Sequence, residues 1–133
     1  MFTIHSVNSE KELIFSSHEN EYYRVELKGA DLSAFTKVWD EGEYLLEGLG
    51  HFLNRLAHSS EPWAGEQKWT SLDHEFSLCV TCSRTGQVTF EVEMNKYPGS
   101  EECWSVNANI VTELGQLEKI AKDAELFFTK KPK

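Results

Sequence analysis

The residues with the most chemical potential in this 133-residue sequence are its three cysteines, five histidines and scattered carboxylates, and spacing decides what they can do. Cys79-Val80-Thr81-Cys82 has the separation of a redox pair or of half a zinc site. The residues around it alternate as a strand does, and on a strand positions three apart point to opposite faces. A disulfide or a metal needs both sulfurs to converge. Cys103 is the remaining cysteine, and no paired histidines stand nearby to complete a ligand set. Structural thiols are the expectation, with no metal and no cofactor implied.

The histidines His5, His18, His51, His58 and His74 are dispersed. His51 and His58 share a helix with Arg55 between them, but seven residues of helix separate them by about 10 Å, too far to share one ion. They are expected to line a solvated helix edge. Asp73-His74-Glu75 sets an imidazole between carboxylates at a strand entrance, an arrangement able to raise its pKa or hold one tautomer. Nothing in the sequence supplies a nucleophile or an oxyanion site to go with it. There is no G-x-S-x-G, phosphate-cradling glycine loop or H-E-x-x-H either. No catalytic residue is assigned, and an enzyme built on His74 ranks behind the readings below.

Two features point to binding instead. Trp63 and Trp69 fall in Trp63-Ala64-Gly65-x-x-x-Trp69, inside an aperiodic, proline-containing stretch read as a loop from Ser59 to Ser71. Tryptophans in such a loop either anchor a partner or fold back to plug the end of the core. Acidic side chains gather in two stretches: Asp40, Glu41, Glu43 and Glu47, then Glu91, Glu93, Glu101 and Glu102. Each is a solvated face or a docking surface for a basic protein. The candidate binding residues are Trp63, Trp69, Glu41, Glu43, Glu91 and Glu93.

The elements that must position these groups read as strands, helix, strands, helix. Two short strands lie within Phe2 to Phe15, and Ser16 to Asn20 reads as a turn. Tyr22 to Leu27 alternates, with Tyr23, Val25 and Leu27 on one face; Leu32 to Trp39 alternates next, with Phe35 and Trp39 on its second face. Acidic residues then precede Leu45, Leu49, Phe52, Leu53 and Leu56, the stripe of an amphipathic helix ending near Ala57. Gly48 and Gly50 inside it cost about 1 kcal/mol each relative to alanine and permit close approach.

Phe76 to Cys82, Val88 to Met94 and Trp104 to Ile110 are three further alternating strands, the first two joined at Ser83 to Gly86. Thr112 and Glu113 read as a cap for a last helix carrying Leu114, Leu117, Ile120, Ala121, Ala124, Phe127 and Phe128. The fold class expected is α+β: one antiparallel sheet of about six or seven strands with both amphipathic helices on one face.

Length and composition suit one domain over residues 1–133, ending in a flexible basic tail at 129–133. Apolar residues are 40% and charged residues 26%, an ordinary folding composition. The net charge of -9 repels phosphate backbones and anionic lipids, and the lysines of the tail are too few to reverse this, so neither nucleic acid nor membrane is an expected partner. The start of the chain lacks a signal-peptide pattern, and free thiols fit a reducing compartment, so the cytoplasm is the default.

The second half resembles a small bacterial domain family of unknown function. The pattern is a leucine-rich helix, then Trp63, Gly65 and Trp69; a Gly86-x-Val88 turn; Trp104; and Gly115-Gln116-Leu117 opening the last helix. It runs from about Phe52 to Phe128, with Gln87 standing where a histidine would be expected. The resemblance carries no activity.

The leading expectation is a small acidic interaction protein of bacteria, of the immunity or antitoxin type, that occludes a basic partner surface. Second stands a small-ligand domain with a pocket between sheet and helices lined by Trp39, Trp69 and Trp104. An unpaired sheet edge would favour a homodimer, although the sequence does not say which strand is the edge.

Overall fold

The computed structural model describes residues 1–40, 47–59, 61–96 and 99–129. Four strands come first: β1 (Phe2–His5), β2 (Glu12–Glu19), β3 (Tyr22–Gly29) and β4 (Leu32–Trp39). Helix α1 (Leu49–Ala57) follows, then β5 (Gln67–Thr70), β6 (Phe76–Cys82), β7 (Gln87–Lys96) and β8 (Trp104–Glu113). A single 3-10 turn, Leu114–Gln116, leads into α2 (Leu117–Thr129).

The eight strands form two four-stranded antiparallel sheets, in the orders β1-β2-β3-β4 and β5-β6-β7-β8. This corrects the expectation of one sheet of six or seven strands. Eight strands side by side would spread over roughly 34 Å. Helices of nine and thirteen residues cannot cover an apolar face that wide. Facing the two sheets inward lets each cover the other.

Phe15 of the first sheet meets Phe76 of the second at 5.9 Å between ring centroids. Tyr23, Val25 and Leu27 join Leu78, Val80, Phe90 and Val92 in one continuous buried cluster. The Tyr23 hydroxyl is buried without a hydrogen-bond partner among the described residues. Burial first, then the nearby charges of Asp40 and Glu75, hold its pKa well above the ordinary phenol value.

The helices pack on each other, with α2 against β1 and α1 against β5. Leu49, Phe52, Leu53 and Leu56 are the buried stripe of α1, as the periodicity requires. Gly48 is its N-cap rather than an interior residue, and the Asp40 carboxylate accepts a 3.0 Å hydrogen bond from the Leu49 N–H. Gly50 lies inside the helix, where a Cβ would stand 3.0 Å from the Phe128 ring of α2. Glu41, Glu43, Leu45 and the lysines of the tail beyond residue 129 lie outside the described residues.

Three local expectations are corrected. Ser16 to Asn20 is not a turn: β2 continues through a bulge between Ser16 and Glu19, with Ser17 at φ 55°. The reversal falls on Asn20 and Glu21, both left-handed at φ 51° and 68°, which brings Glu19 opposite Tyr22. Ser59 to Ser71 is not all loop, because Gln67–Thr70 adds β5 to the edge of β6. Thr112 does not open a helix: it lies in β8, where, buried, it extends the inward row of Ala108 and Ile110, while Glu113 ends the strand at the N-cap position of the 3-10 turn, without a side-chain cap hydrogen bond.

The outer face of the first sheet carries Arg24 and Lys37 as cross-strand neighbours. The Arg24 guanidinium lies 3.8 Å from the centroid of the Phe35 ring, and the Lys37 ammonium 4.8 Å from that of Tyr22. Phe35, half exposed, is thereby roofed by a cation.

Candidate docking face

The outer face of the β5–β8 sheet collects the acidic strand residues. Val88, Phe90, Val92 and Met94 of β7 point inward and are buried, so the alternation turns Glu91 and Glu93 outward, where both are exposed. Residues two apart on one strand stand roughly 7 Å apart.

Strand pairing sets neighbours around them in two rows. Thr70, Ser77, Glu93 and Asn107 cross the four strands as one row, and Lys68, Cys79, Glu91 and Asn109 as the next. The resulting surface is flat and polar, with a shallow depression of about 260 Å³ between Glu66, Lys68, Cys79 and Glu91.

Pairing separates these two carboxylates from several others, among them Glu47, Asp123 and Glu12. Glu47 accepts two hydrogen bonds of 2.9 Å from Arg55 and one of 2.6 Å from His51. Its carboxyl is held below the usual carboxylate range by Arg55 foremost, and by His51. Asp123 is paired with Lys119 at 2.9 Å, and Glu12 with His5 at 3.2 Å. Glu91 and Glu93 have no lysine, arginine or histidine within ion-pair distance among the described residues. Glu93 accepts only a long 3.5 Å contact from the Ser77 hydroxyl. Their charge is available to a partner.

The tryptophans divide. Trp69 is corrected from surface anchor to core residue: on β5 it faces inward, 6% exposed, and its ring meets Phe76 edge-on at 5.8 Å. Its position opposite Leu78 turns it to the apolar side of the sheet. Trp63 is half-buried against the core, with its indole N–H enclosed and without a partner among the described residues. Neither ring is free beside the acidic rows.

Trp39, Trp69 and Trp104 stand apart among the described residues. Trp69 and Trp104 lie on opposite edges of one sheet, about 14 Å apart across three strand spacings alone, and Trp39 belongs to the other sheet. A separate cleft of about 700 Å³ opens where Ser17, His18 and His5 face Lys119, Asp123 and Phe127. There the His18 Nδ1 lies 3.2 Å from the Phe127 carbonyl oxygen, near the C-terminal end of α2. His18 gave no signal in the sequence beyond its residue type.

The remaining sequence candidates stay apart. His74 is exposed in the turn before β6 at φ 62°, and Glu75 beside it accepts a hydrogen bond from the Ser71 hydroxyl. His51 and His58 make separate contacts, His51 with Glu47 and His58 with the Asn54 carbonyl oxygen at 2.7 Å. Cys79 and Cys82 sit on opposite faces of β6, as their spacing on a strand demands. The Cys79 thiol donates to Glu66 at 3.1 Å, and burial with that carboxylate pushes it up to about 11. Among the described residues no three His, Cys, Asp or Glu side chains gather as metal ligands, and no helix is long and apolar enough to cross a membrane.

Sequence reasoning missed Asn107 and Asn109, which complete the polar rows beside Glu93 and Glu91. The alternation Val106, Ala108, Ile110 carried the signal, since it turns the intervening asparagines to the opposite side.

Comparison with curated proteins gives no match. The resemblance from Phe52 to Phe128 to a small domain family of unknown function holds in kind, and the match extends over nearly the whole chain. Spanning residues 5–131, it makes the chain a member of the family of unknown function DUF6228.

Proposed function

We propose that this chain is a small interaction protein, of the acidic immunity or antitoxin type of the bacterial cytoplasm, whose outer β5–β8 face occludes a basic surface of a partner protein. The observation that carries the reading is the pair Glu91 and Glu93, side by side on a flat, hydrogen-bonding face and left without counter-ions among the described residues. Such charges steer a basic partner toward the face and set its register once it is there. Asn107, Asn109, Ser77 and Thr70 offer donors and acceptors around them. The same carboxylates repel phosphate, which argues against nucleic acid and anionic lipid as partners of this face.

The test is capture of a basic protein from lysate by the wild type and by Glu91→Lys/Glu93→Lys. Both side chains are exposed, so the double variant is expected to fold normally. Retention of the same basic protein by wild type, falling with added salt and lost in the variant, supports the reading. Equal retention by both proteins sinks it.

A further inference from the structure

We propose that β8 pairs with β8 of a second copy of this chain across a two-fold axis at Asn107, joining two four-stranded sheets into one of eight strands. Sheet edges expose unpaired amide groups, and proteins guard them with short strands, charge, proline or bulges. β1 and β5 are only four residues long; α2 packs against β1, and β5 carries Lys68. β4 carries Lys37.

From Trp104 to Thr112, β8 has none of these guards. Its ten residues pair with β7 without a bulge, and from Trp104 to Thr112 there is no charged residue and no proline.

The backbone direction is readable from one bond. The Val111 carbonyl oxygen accepts the Val7 N–H at 2.8 Å and so points away from β7. Strand alternation turns the N–H and C=O groups of Asn109, Asn107 and Ser105 the same way. No backbone partner takes those groups among the described residues.

An antiparallel copy with Asn107 opposite Asn107 places Ser105 opposite Asn109 in both directions. Each of those three pairs exchanges two hydrogen bonds. The same register sets Val106 against Ala108 and Trp104 against Ile110, covering the half-buried Val106 and Ala108 and the 37% exposed Trp104. Val7, seated at Val111, ends the ladder after seven residues on each strand.

The register is self-complementary, as a two-fold interface must be. The net charge of -9 on each copy makes the long-range term repulsive, and Glu101 and Glu102 of one copy come near Glu113 of the other at the rim. The Glu93 residues of the two copies stand about 14 Å apart across three strand spacings and the Glu91 residues farther, beyond a Debye length at physiological salt. Added salt therefore strengthens this association, opposite to its effect on a basic partner. The seam is made by the edge groups of β8 and not by the acidic face, so either proposal stands if the other fails.

The experiment is sedimentation of the full chain from about 1 μM to about 1 mM, with hydrogen exchange at both ends of that range. Expected are a monomer–dimer equilibrium strengthened by salt, slower exchange at Ser105, Asn107 and Asn109 when concentrated, and association at least about tenfold weaker in Asn107→Pro and Asn107→Glu. Proline there removes an N–H that β7 does not use, and glutamate places two further carboxylates at the axis beside Glu93. Should either variant misfold by circular dichroism, wild-type exchange at the three edge amides decides. A wild type that stays monomeric throughout, or a dimer in which those amides exchange unchanged, overturns the proposal.

Discussion

The indole N–H of Trp69 donates a 2.7 Å hydrogen bond to the carbonyl oxygen of Glu47, tying β5 to the residue before the α1 N-cap. The Glu47 side chain is at the same time held by Arg55 and His51 of that helix. One residue thus fastens the start of α1 both to the sheet and to its own later turns.

Trp69→Phe keeps a ring against Phe76 and deletes the N–H. The loss expected is about 1–2 kcal/mol, the cost of leaving a part-buried carbonyl unsatisfied. Trp69→Ala also opens a cavity and costs about 3–5 kcal/mol. Urea unfolding of wild type and the two variants checks this; a Trp69→Phe variant as stable as wild type would mean that the bond contributes nothing.

Gly50→Ala sets two effects against each other. Alanine favours the helix by about 1 kcal/mol, but its Cβ falls 3.0 Å from the Phe128 ring. With Phe128 present the expected result is neutral to destabilising. In a Phe128→Leu background the same change stabilises by up to about 1 kcal/mol. A double-mutant cycle by thermal unfolding reads the coupling directly.

Glu47 gives the fold an acid-sensitive contact. Its folded pKa is lowered from 4.5, so the stabilisation is fully present above that value and is lost as pH falls through the folded one. Glu47→Gln is expected to be less stable than wild type near neutrality, with the gap closing as pH drops below about 4.5. Urea midpoints of both proteins across that range test this, and a gap that stays constant with pH contradicts it.

Cys79 behaves oppositely. A thiol raised from 9.0 to about 11 contributes stability that is present below pH 9 and lost as pH rises toward 11. It is a weak nucleophile at neutral pH, where exposed Cys103 is expected to alkylate first with iodoacetamide. Glu66→Gln lowers the pH at which Cys79 begins to react, while burial, the larger cause, keeps it above the ordinary thiol range. Mass spectrometry of the labelled peptides reads both sites.

The strands that were legible are those with a long period of two. Tyr23, Val25 and Leu27 of β3, and Val88 to Met94 of β7, each mark an inward face, and the positions of Glu91 and Glu93 follow from that alternation alone. Period says which side of a strand is apolar but not what covers it, so two facing sheets and one helix-covered sheet look alike in sequence. β5 escaped because Trp69 is its only large apolar side chain; its existence depends on pairing with β6. Thr112 misled because a β-branched hydroxyl residue suits a helix cap and a strand end equally, and the row begun at Val106 decided between them. Of the candidate site, Glu91 and Glu93 were readable, whereas the inward turn of Trp69 required knowing that Leu78 stands opposite it.

Arg24 and Lys37 lie on the outer face of one sheet, and Glu91 and Glu93 on the outer face of the other. Because the sheets meet through their inner faces, these two sets of charge look away from each other. Arg24 and Lys37 on one side and Glu91 and Glu93 on the other thus contribute a separation of charge across the two sheets, reduced by Glu26 beside Arg24 and by Lys68 in the Glu91 row. A charged partner approaching through solvent exerts a torque on the molecule before any atoms touch, turning the carboxylates toward a cationic surface and the roofed aromatics away.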